Sequence, residues 1–118
     1  MHDCPIKKFD LLVSIEVIEH VYNLNAFLKF CIELAPRAIF STPNRQILRS
    51  PKDLGPPAYP PHVREFDPGE IYWILRQYYN VIKLFYMPDQ YVPWLAPMTI
   101  ATKGTPIIAE CMEPVISS

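Results

Sequence analysis

The sequence predicts one α/β domain built around a mixed sheet. The chain has 118 residues, of which 50% are apolar, enough for one hydrophobic core and too few for two domains. Residues 9–15 and 38–42 are short, nearly continuous apolar runs, a pattern typical of strands buried on both faces of a parallel sheet. A segment with helical periodicity lies between them. Strand, helix and strand in succession form a βαβ unit, which makes the two strands parallel.

The helix of this unit is predicted after residue 23. Asn23 or Asn25 is available as its N-cap, and the helix ends before Pro36. Its apolar face repeats at 3.6-residue spacing. The residues of that face are Phe27, Leu28, Cys31, Leu34 and Ala35.

A second helix is predicted to begin after Asp67. Asp67 is the N-cap, Pro68 takes the first helical position, and Glu70 supplies the carboxylate three residues after the cap. Replacing Asp67 with Ala is therefore expected to cost about 1 kcal/mol, the usual effect of losing an N-cap. The apolar face of this helix consists of Ile71, Ile74, Leu75 and Tyr78.

The rest of the chain is predicted to contain one long connection and two strands. Residues 45–66 show no period, and a connection of that length inside a compact domain is usually functional or disordered. Residues 80–87 and 98–102 have strand composition and are expected to pair antiparallel, because no helical pattern separates them. Residues 105–118 have no assigned element. The expected organisation is one domain over residues 1–104 and a C-terminal tail over 105–118.

Composition excludes several classes of protein. With 11 Lys and Arg against 12 Asp and Glu, the net charge of −1 argues against binding to a nucleic-acid backbone. The three cysteines, Cys4, Cys31 and Cys111, are odd in number and widely spaced, which favours a reducing, cytoplasmic compartment. No apolar run approaches the roughly 18 residues of a membrane span, and the N-terminus lacks signal-peptide character.

Three segments together carry a resemblance to a known family. FDLLVSIEVIEHV, AIFSTPN and PPHVREFDPGEI, in this order, resemble the second half of class I S-adenosylmethionine-dependent methyltransferases over about residues 9–103. The resemblance implies a partial Rossmann-like methyltransferase sheet from the family order 3-2-1-4-5-7-6. Residues 9–15 would be strand 4, residues 37–42 strand 5 and the final pair strands 6 and 7, the last inserted antiparallel, with strands 1–3 missing.

The cofactor side of the family pattern is largely absent. The family holds S-adenosylmethionine with a glycine-rich turn after strand 1 and an acidic residue that ends strand 2, whereas Gly55, Gly69 and Gly104 are the chain's three glycines and none has the GxGxxG spacing. The chain is thus expected to be the acceptor-side half, as a fragment of a longer gene product or as a truncated relative. The position of Met1 fits a truncated reading frame.

The resemblance still implies some contacts to the cofactor. Ser14 and Ile15 end strand 4 and would lie beside S-adenosylmethionine. Asp3 would approach the adenine amine, although its distance from Phe9 is short for the family. The alternative for Asp3 is a frayed terminus.

Glu16, Glu19 and His20 are the strongest candidates for chemistry. Their spacing of i, i+3 and i+4 would put two carboxylates and an imidazole on one face of a helical turn, at the carboxyl end of strand 4, where open α/β sheets bind ligands. His62, on the long connection, could close over them. Similar Glu-x-x-Glu-His turns hold a divalent cation in two groups of methyltransferases that modify small RNAs or ubiquinone precursors.

Three roles stay open for this turn. Glu16, Glu19, His20 and His62 could hold Mg or Mn. Alternatively, Glu16, His20 and His62 could act as acids, bases or substrate contacts. The third alternative is a structural role in capping the turn.

Other polar and aromatic residues receive weaker hypotheses. Thr42 and Asn44 end strand 5 and are interpreted as backbone-satisfying turn residues in preference to acceptor contacts. Arg64 could face an anionic substrate, although a solvated pair with Glu65 is more typical. Tyr91 and Trp94 are the aromatics with a ligand hypothesis.

Two functions are therefore expected as alternatives. The first is S-adenosylmethionine-dependent O-methyl transfer to a small-molecule or glycan-like acceptor, a choice that the neutral charge favours over RNA. The second is a catalytically inactive methyltransferase-like interaction module. Leu11, Leu12 and Val13 make strand 4 too apolar for a solvated edge, so this strand is expected at a sheet edge where it self-associates or pairs with another chain.

Overall fold

The fold is a mixed sheet with helices packed against it. The computed structural model describes residues 8–48, 63–88, 95–99, 102 and 104–115. The strands are β1 (Leu12–Ile15), β2 (Arg37–Thr42), β3 (Tyr79–Tyr86), β4 (Ala96–Pro97) and β5 (Ile107–Pro114). The helices are α1 (Leu24–Leu34), α2 (Arg45–Leu48) and α3 (Pro68–Arg76), with a 3₁₀ turn over Ile18–His20. The predicted α/β class is confirmed.

The sheet has the order β1-β2-β5-β3-β4. β1 and β2 are parallel, as the βαβ unit predicts. β5 lies between β2 and β3 and runs antiparallel to both, and β4 pairs antiparallel with β3. Among the strands that the structure describes, β1 is at the edge of the sheet, as predicted.

The C-terminal part of the sheet corrects the sequence prediction. The strand expected at 98–102 is not found at its described residues Met98, Thr99 and Thr102, because β4 consists only of Ala96–Pro97. Residues 100 and 101 lie outside the described part of the chain. The segment without an assigned element contains β5, the central strand of the sheet. Its alternate residues Ile107, Ala109 and Cys111 are buried. This period-2 pattern is a weak sequence signal, because Ala109 and Cys111 are small and Glu110 and Glu113 interrupt the apolar run.

The core lies between the helices and one face of the sheet. Ala38 pairs with Cys111 and Phe40 with Ala109, so these four buried side chains share a face. The Phe40 ring packs between Phe27 of α1, at 6.4 Å, and Tyr79 of β3, at 6.3 Å between ring centroids. The same cluster includes Leu28 and Cys31 of α1 and Ile71 and Leu75 of α3.

Both predicted helix starts are confirmed. The Ala26 N–H donates to Asn23 Oδ1 at 3.0 Å, so Asn23 is the N-cap of α1. At α3, the Glu70 N–H donates to Asp67 Oδ1 at 2.7 Å and the Asp67 N–H donates to Glu70 Oε1 at 2.8 Å. None of the described helices is long and apolar enough to cross a membrane.

Candidate functional site

The candidate site lies where the two parallel strands end. The Glu16 N–H donates to the Ser41 carbonyl at 3.0 Å, which joins the residue after β1 to β2. Glu16 has a φ of 55°, in the left-handed region that few residues other than glycine adopt. The chain therefore turns sharply at Glu16 and enters the 3₁₀ turn at Ile18.

This turn changes the expected geometry of the three candidate residues. The i, i+3, i+4 argument assumed a continuous helical turn, but the 3₁₀ turn covers only Ile18–His20. Glu16 stands before that turn in a different backbone conformation and is exposed, whereas Glu19 is buried. The predicted single face of two carboxylates and an imidazole is wrong for this reason.

Glu19 is a buried carboxylate that is hydrogen-bonded to a neighbouring strand. Its residue is only 1% exposed, and its Oε1 accepts a hydrogen bond from Thr42 Oγ1 at 2.8 Å. A buried carboxylate requires such partners because desolvation is costly. Thr42, at the end of β2, therefore orients Glu19.

His20 lies next to this carboxylate and reaches solvent. Its Nε2 is 3.7 Å from Glu19 Oε2, and the imidazole side chain is 39% exposed. The separation is too long for a hydrogen bond and short enough for a charge interaction when His20 is protonated. Thr42, Glu19 and His20 thus form a polar chain from the buried end of β2 to the surface, in which the buried carboxylate stands behind the imidazole.

The segment that follows the long connection is fixed to the same turn. The Glu19 carbonyl accepts hydrogen bonds from the Val63 N–H at 2.8 Å and the Arg64 N–H at 3.3 Å. The Arg64 guanidinium donates to the carbonyls of Val21, at 2.6 Å, and Tyr22, at 3.3 Å. Arg64 therefore satisfies the carbonyls after the 3₁₀ turn, a role that neither sequence hypothesis assigned to it.

Asn44 has a structural role, as the preferred interpretation expected. It is completely buried, its Nδ2 donates to the Gly104 carbonyl at 2.8 Å, and its Oδ1 accepts from the Gln46 N–H at 3.0 Å. Gly104 has no room for a side chain, because a Cβ there would lie 2.2 Å from Tyr86 Cδ2. Asn44 thus fixes the end of β2 against the turn that leads into β5.

Arg45 is an important residue that sequence reasoning missed. It is 5% exposed and donates from Nη2 to Asp67 Oδ2 at 3.0 Å and to Glu70 Oε1 at 3.3 Å. Its N–H donates to the Phe66 carbonyl at 2.7 Å. The guanidinium therefore joins the start of α2 to the capping box of α3, and no local pattern indicates a partner more than 20 residues away.

The buried cysteines do not contribute a nucleophile. Burial raises the pKa of Cys31 to about 11. Burial, with a further contribution from Glu110, also raises the pKa of Cys111. Both thiols stay protonated near neutral pH and behave as small core residues.

The metal hypothesis gains no donor cluster from the described part of the chain. There, no group of three His, Cys, Asp or Glu side chains is arranged to hold a metal ion. Glu19 instead binds Thr42. His62 lies outside the described residues, so a site of Glu16, Glu19, His20 and His62 stays a prediction, and we derive no metal-dependent step.

The structure describes only some of the residues that were expected to contact a cofactor or ligand. Asp3, Tyr91 and Trp94 lie outside the described residues. The buried Ser14 Oγ has no hydrogen-bond partner among the residues that the structure describes, and Ile15 is exposed. Ser14 and Ile15 are consecutive strand residues and point to opposite faces of the sheet, so their contacts to S-adenosylmethionine stay a prediction.

Comparison with protein-family models, with curated proteins and with solved structures finds no match to this chain.

Proposed function

We propose that this chain is the acceptor-side half of an S-adenosylmethionine-dependent methyltransferase domain that methylates a hydroxyl of a small-molecule or glycan-like acceptor. The observation that supports it is the order and direction of the strands. β1 and β2 are parallel and β5 is inserted antiparallel between β2 and β3. With β5 counted as strand 7, in place of the predicted residues 98–102, the order β1-β2-β5-β3 corresponds to the order 4-5-7-6 of the resemblance, and this correspondence supports the proposal.

The position of His20 supports a role in proton transfer. Ligands of open α/β sheets bind outside the carboxyl ends of the strands, and His20 lies at that end of β1. Glu19 stands 3.7 Å behind the ring and is itself oriented by Thr42. At this distance Glu19 can stabilise a protonated His20 through its charge without a hydrogen bond, which favours His20 as a general base.

The reaction assigns a defined task to each of these residues. When bound, S-adenosylmethionine supplies a methyl group on a positively charged sulfur and leaves as the neutral thioether. His20 accepts the proton of the acceptor hydroxyl as the oxygen–carbon bond forms. Glu19 stabilises the imidazolium that results.

A methyl-transfer assay tests this function. The chain is incubated with S-adenosylmethionine carrying a ¹³C-labelled methyl group and with a catechol, a simple phenol and a monosaccharide as acceptors. We expect a methylated product that is lost in His20→Ala and retained in Tyr22→Ala, a control two residues away whose side chain is 85% exposed. Equal product from wild type and His20→Ala would contradict the role of His20.

The exposed β1 strand favours a second candidate function, an inactive interaction module. Val13 is 56% and Ile15 58% exposed, an unusual surface for an edge strand. Calorimetric titration with S-adenosylmethionine separates the two candidates. Saturable binding with a Kd of about 1 mM or tighter would exclude the inactive module, whereas no binding up to about 10 mM would exclude catalysis by this chain alone.

A further inference from the structure

One face of β1 and of the residues just before it is apolar and exposed. Phe9, Leu11, Val13 and Ile15 are between 40% and 58% exposed. Natural edge strands usually carry a charge, a proline or a bulge that prevents pairing with another chain. Leu11, Val13 and Ile15 provide none of these, so the edge of β1 is suited to pairing with a partner.

The backbone of β1 shows which groups are available to that partner. Because the Glu16 N–H donates to the Ser41 carbonyl, the even-numbered residues of β1 point their N–H and C=O groups towards β2. Leu11, Val13 and Ile15 therefore point theirs away from the sheet. Among the described residues, β1 has a neighbouring strand on one side only.

We propose that a second copy of this chain pairs with β1 in an antiparallel arrangement, with Leu12 on the two-fold axis. In antiparallel pairing, residues whose backbone N–H and C=O groups point to the partner lie opposite residues of the same kind. In β1 these are the odd-numbered residues, so registers that place an odd residue opposite an even one are excluded. The two symmetric registers that overlap most of the strand are centred on Leu12 or on Val13. Charge complementarity distinguishes them.

The register centred on Val13 places like charges together. It brings Asp10 opposite Glu16 of the second copy, and the two-fold axis repeats this repulsion. The register centred on Leu12 instead brings Lys8 towards Glu16 of the second copy at both ends. Lys8 and Glu16 are both exposed, so their long side chains can meet even though the chain bends at Asp10.

The favoured register also matches the apolar residues. Leu11 lies opposite Val13 of the second copy at both ends of the pairing. These side chains lie next to each other on the same face of the extended sheet. The pairing also brings Lys8 of the second copy next to Glu16, at the border of the candidate site.

This pairing does not rest on the proposed methyl transfer, because it uses only the β1 edge. A cofactor-bearing chain that took the same edge would compete with the second copy. Experiments on the purified chain alone therefore test the pairing, and the methyl-transfer assay can fail or succeed independently.

Sedimentation equilibrium with charge variants tests the proposal. Wild type is expected to dimerise reversibly. Lys8→Glu and Glu16→Lys should each raise the dimer Kd about tenfold, because each turns two attractive contacts into repulsive ones. The double variant Lys8→Glu/Glu16→Lys should restore the Kd to within about threefold of wild type. A wild-type monomer at about 1 mM chain, or no rescue in the double variant, would overturn the proposal.

Disulfide trapping tests the register. In a Cys4→Ser background, Leu12→Cys is expected to form a covalent dimer on mild oxidation, because directly opposite residues that are not hydrogen-bonded have Cα atoms about 4.5 Å apart. Val13→Cys is the matched control. It should stay monomeric in gels run without reducing agent, because Val13 lies opposite Leu11 of the second copy and the two introduced cysteines would be two residues apart along the strand. Linkage through Val13 and not Leu12 would overturn the assigned register, and linkage through neither would show that any dimer uses another surface.

Discussion

Asp67 stabilises the protein in two ways that can be separated by substitution. Its Oδ1 caps α3 by accepting from the Glu70 N–H, and its Oδ2 forms an ion pair with Arg45 at 3.0 Å. The Arg45 side chain is 6% exposed, so this pair is screened far less than a surface pair. The sequence predicted only the first contribution, about 1 kcal/mol.

Asp67→Ala is expected to lower the free energy of unfolding by about 2 to 3 kcal/mol. The lost cap accounts for about 1 kcal/mol, and the weakened pairing of a buried guanidinium adds about 1 to 2 kcal/mol. The full cost of an unpaired buried charge is not expected, because Glu70 Oε1 stays 3.3 Å from Arg45. Asp67→Asn keeps a good N-cap and removes the charge, so it should cost only the second part.

Urea unfolding followed by far-ultraviolet circular dichroism measures both values. Glu70→Gln is a useful control, since glutamine also completes a capping box while the charge next to Arg45 is lost. If Asp67→Asn destabilised as much as Asp67→Ala, the cap would contribute nothing. If both variants unfolded like wild type, neither contact would matter to stability.

Three further outcomes can be measured in the same way. Glu19→Ala should cost about 2 to 3 kcal/mol because it leaves the buried Thr42 hydroxyl without its acceptor; adding Thr42→Val should cost little more, and additive costs in the double variant would disprove the coupling. Gly104→Ala should destabilise by more than about 2 kcal/mol, since its Cβ would meet the Tyr86 ring; wild-type stability would contradict that contact. Burial raises the pKa of Cys31 to about 11, so between about pH 9 and 11 the thiol ionises in the unfolded chain and stays protonated in the folded one. Over this range the free energy of unfolding of wild type should fall by up to about 1.4 kcal/mol per pH unit more than that of Cys31→Ala. Parallel pH profiles of the two proteins would contradict this expectation.

Local signals were sufficient for the first half of the fold. The apolar run of β1, the periodic face of α1 and the caps at Asn23 and Asp67 each depend on neighbouring residues. β5 was missed because two of its three inward residues, Ala109 and Cys111, are small and its other face mixes Glu110 with apolar side chains, which weakens the alternation of a half-covered strand. β4 was misplaced because it comprises only Ala96–Pro97.

The sequence predicted which residues belong to the candidate site but not how they are arranged. Sequence spacing correctly put Glu19 and His20 together at the end of β1, since adjacent residues cannot separate. It could not show the left-handed Glu16, which depends on the junction with β2. It also could not pair Glu19 with Thr42, 23 residues later, because that contact exists only once β1 and β2 lie side by side.

Nuclear magnetic resonance titration of the chain with S-adenosylmethionine tests most directly whether the carboxyl ends of β1 and β2 form a cofactor-binding half-site. Because the glycine-rich turn is absent from this sequence, we expect weak binding, with a Kd of about 1 mM, and amide shift changes confined to Ser14, Ile15 and the residues up to His20. Titration with ligand-free buffer of the same salt concentration is the control. An unchanged spectrum up to about 10 mM ligand, or changes confined to the far end of the sheet, would contradict the assignment.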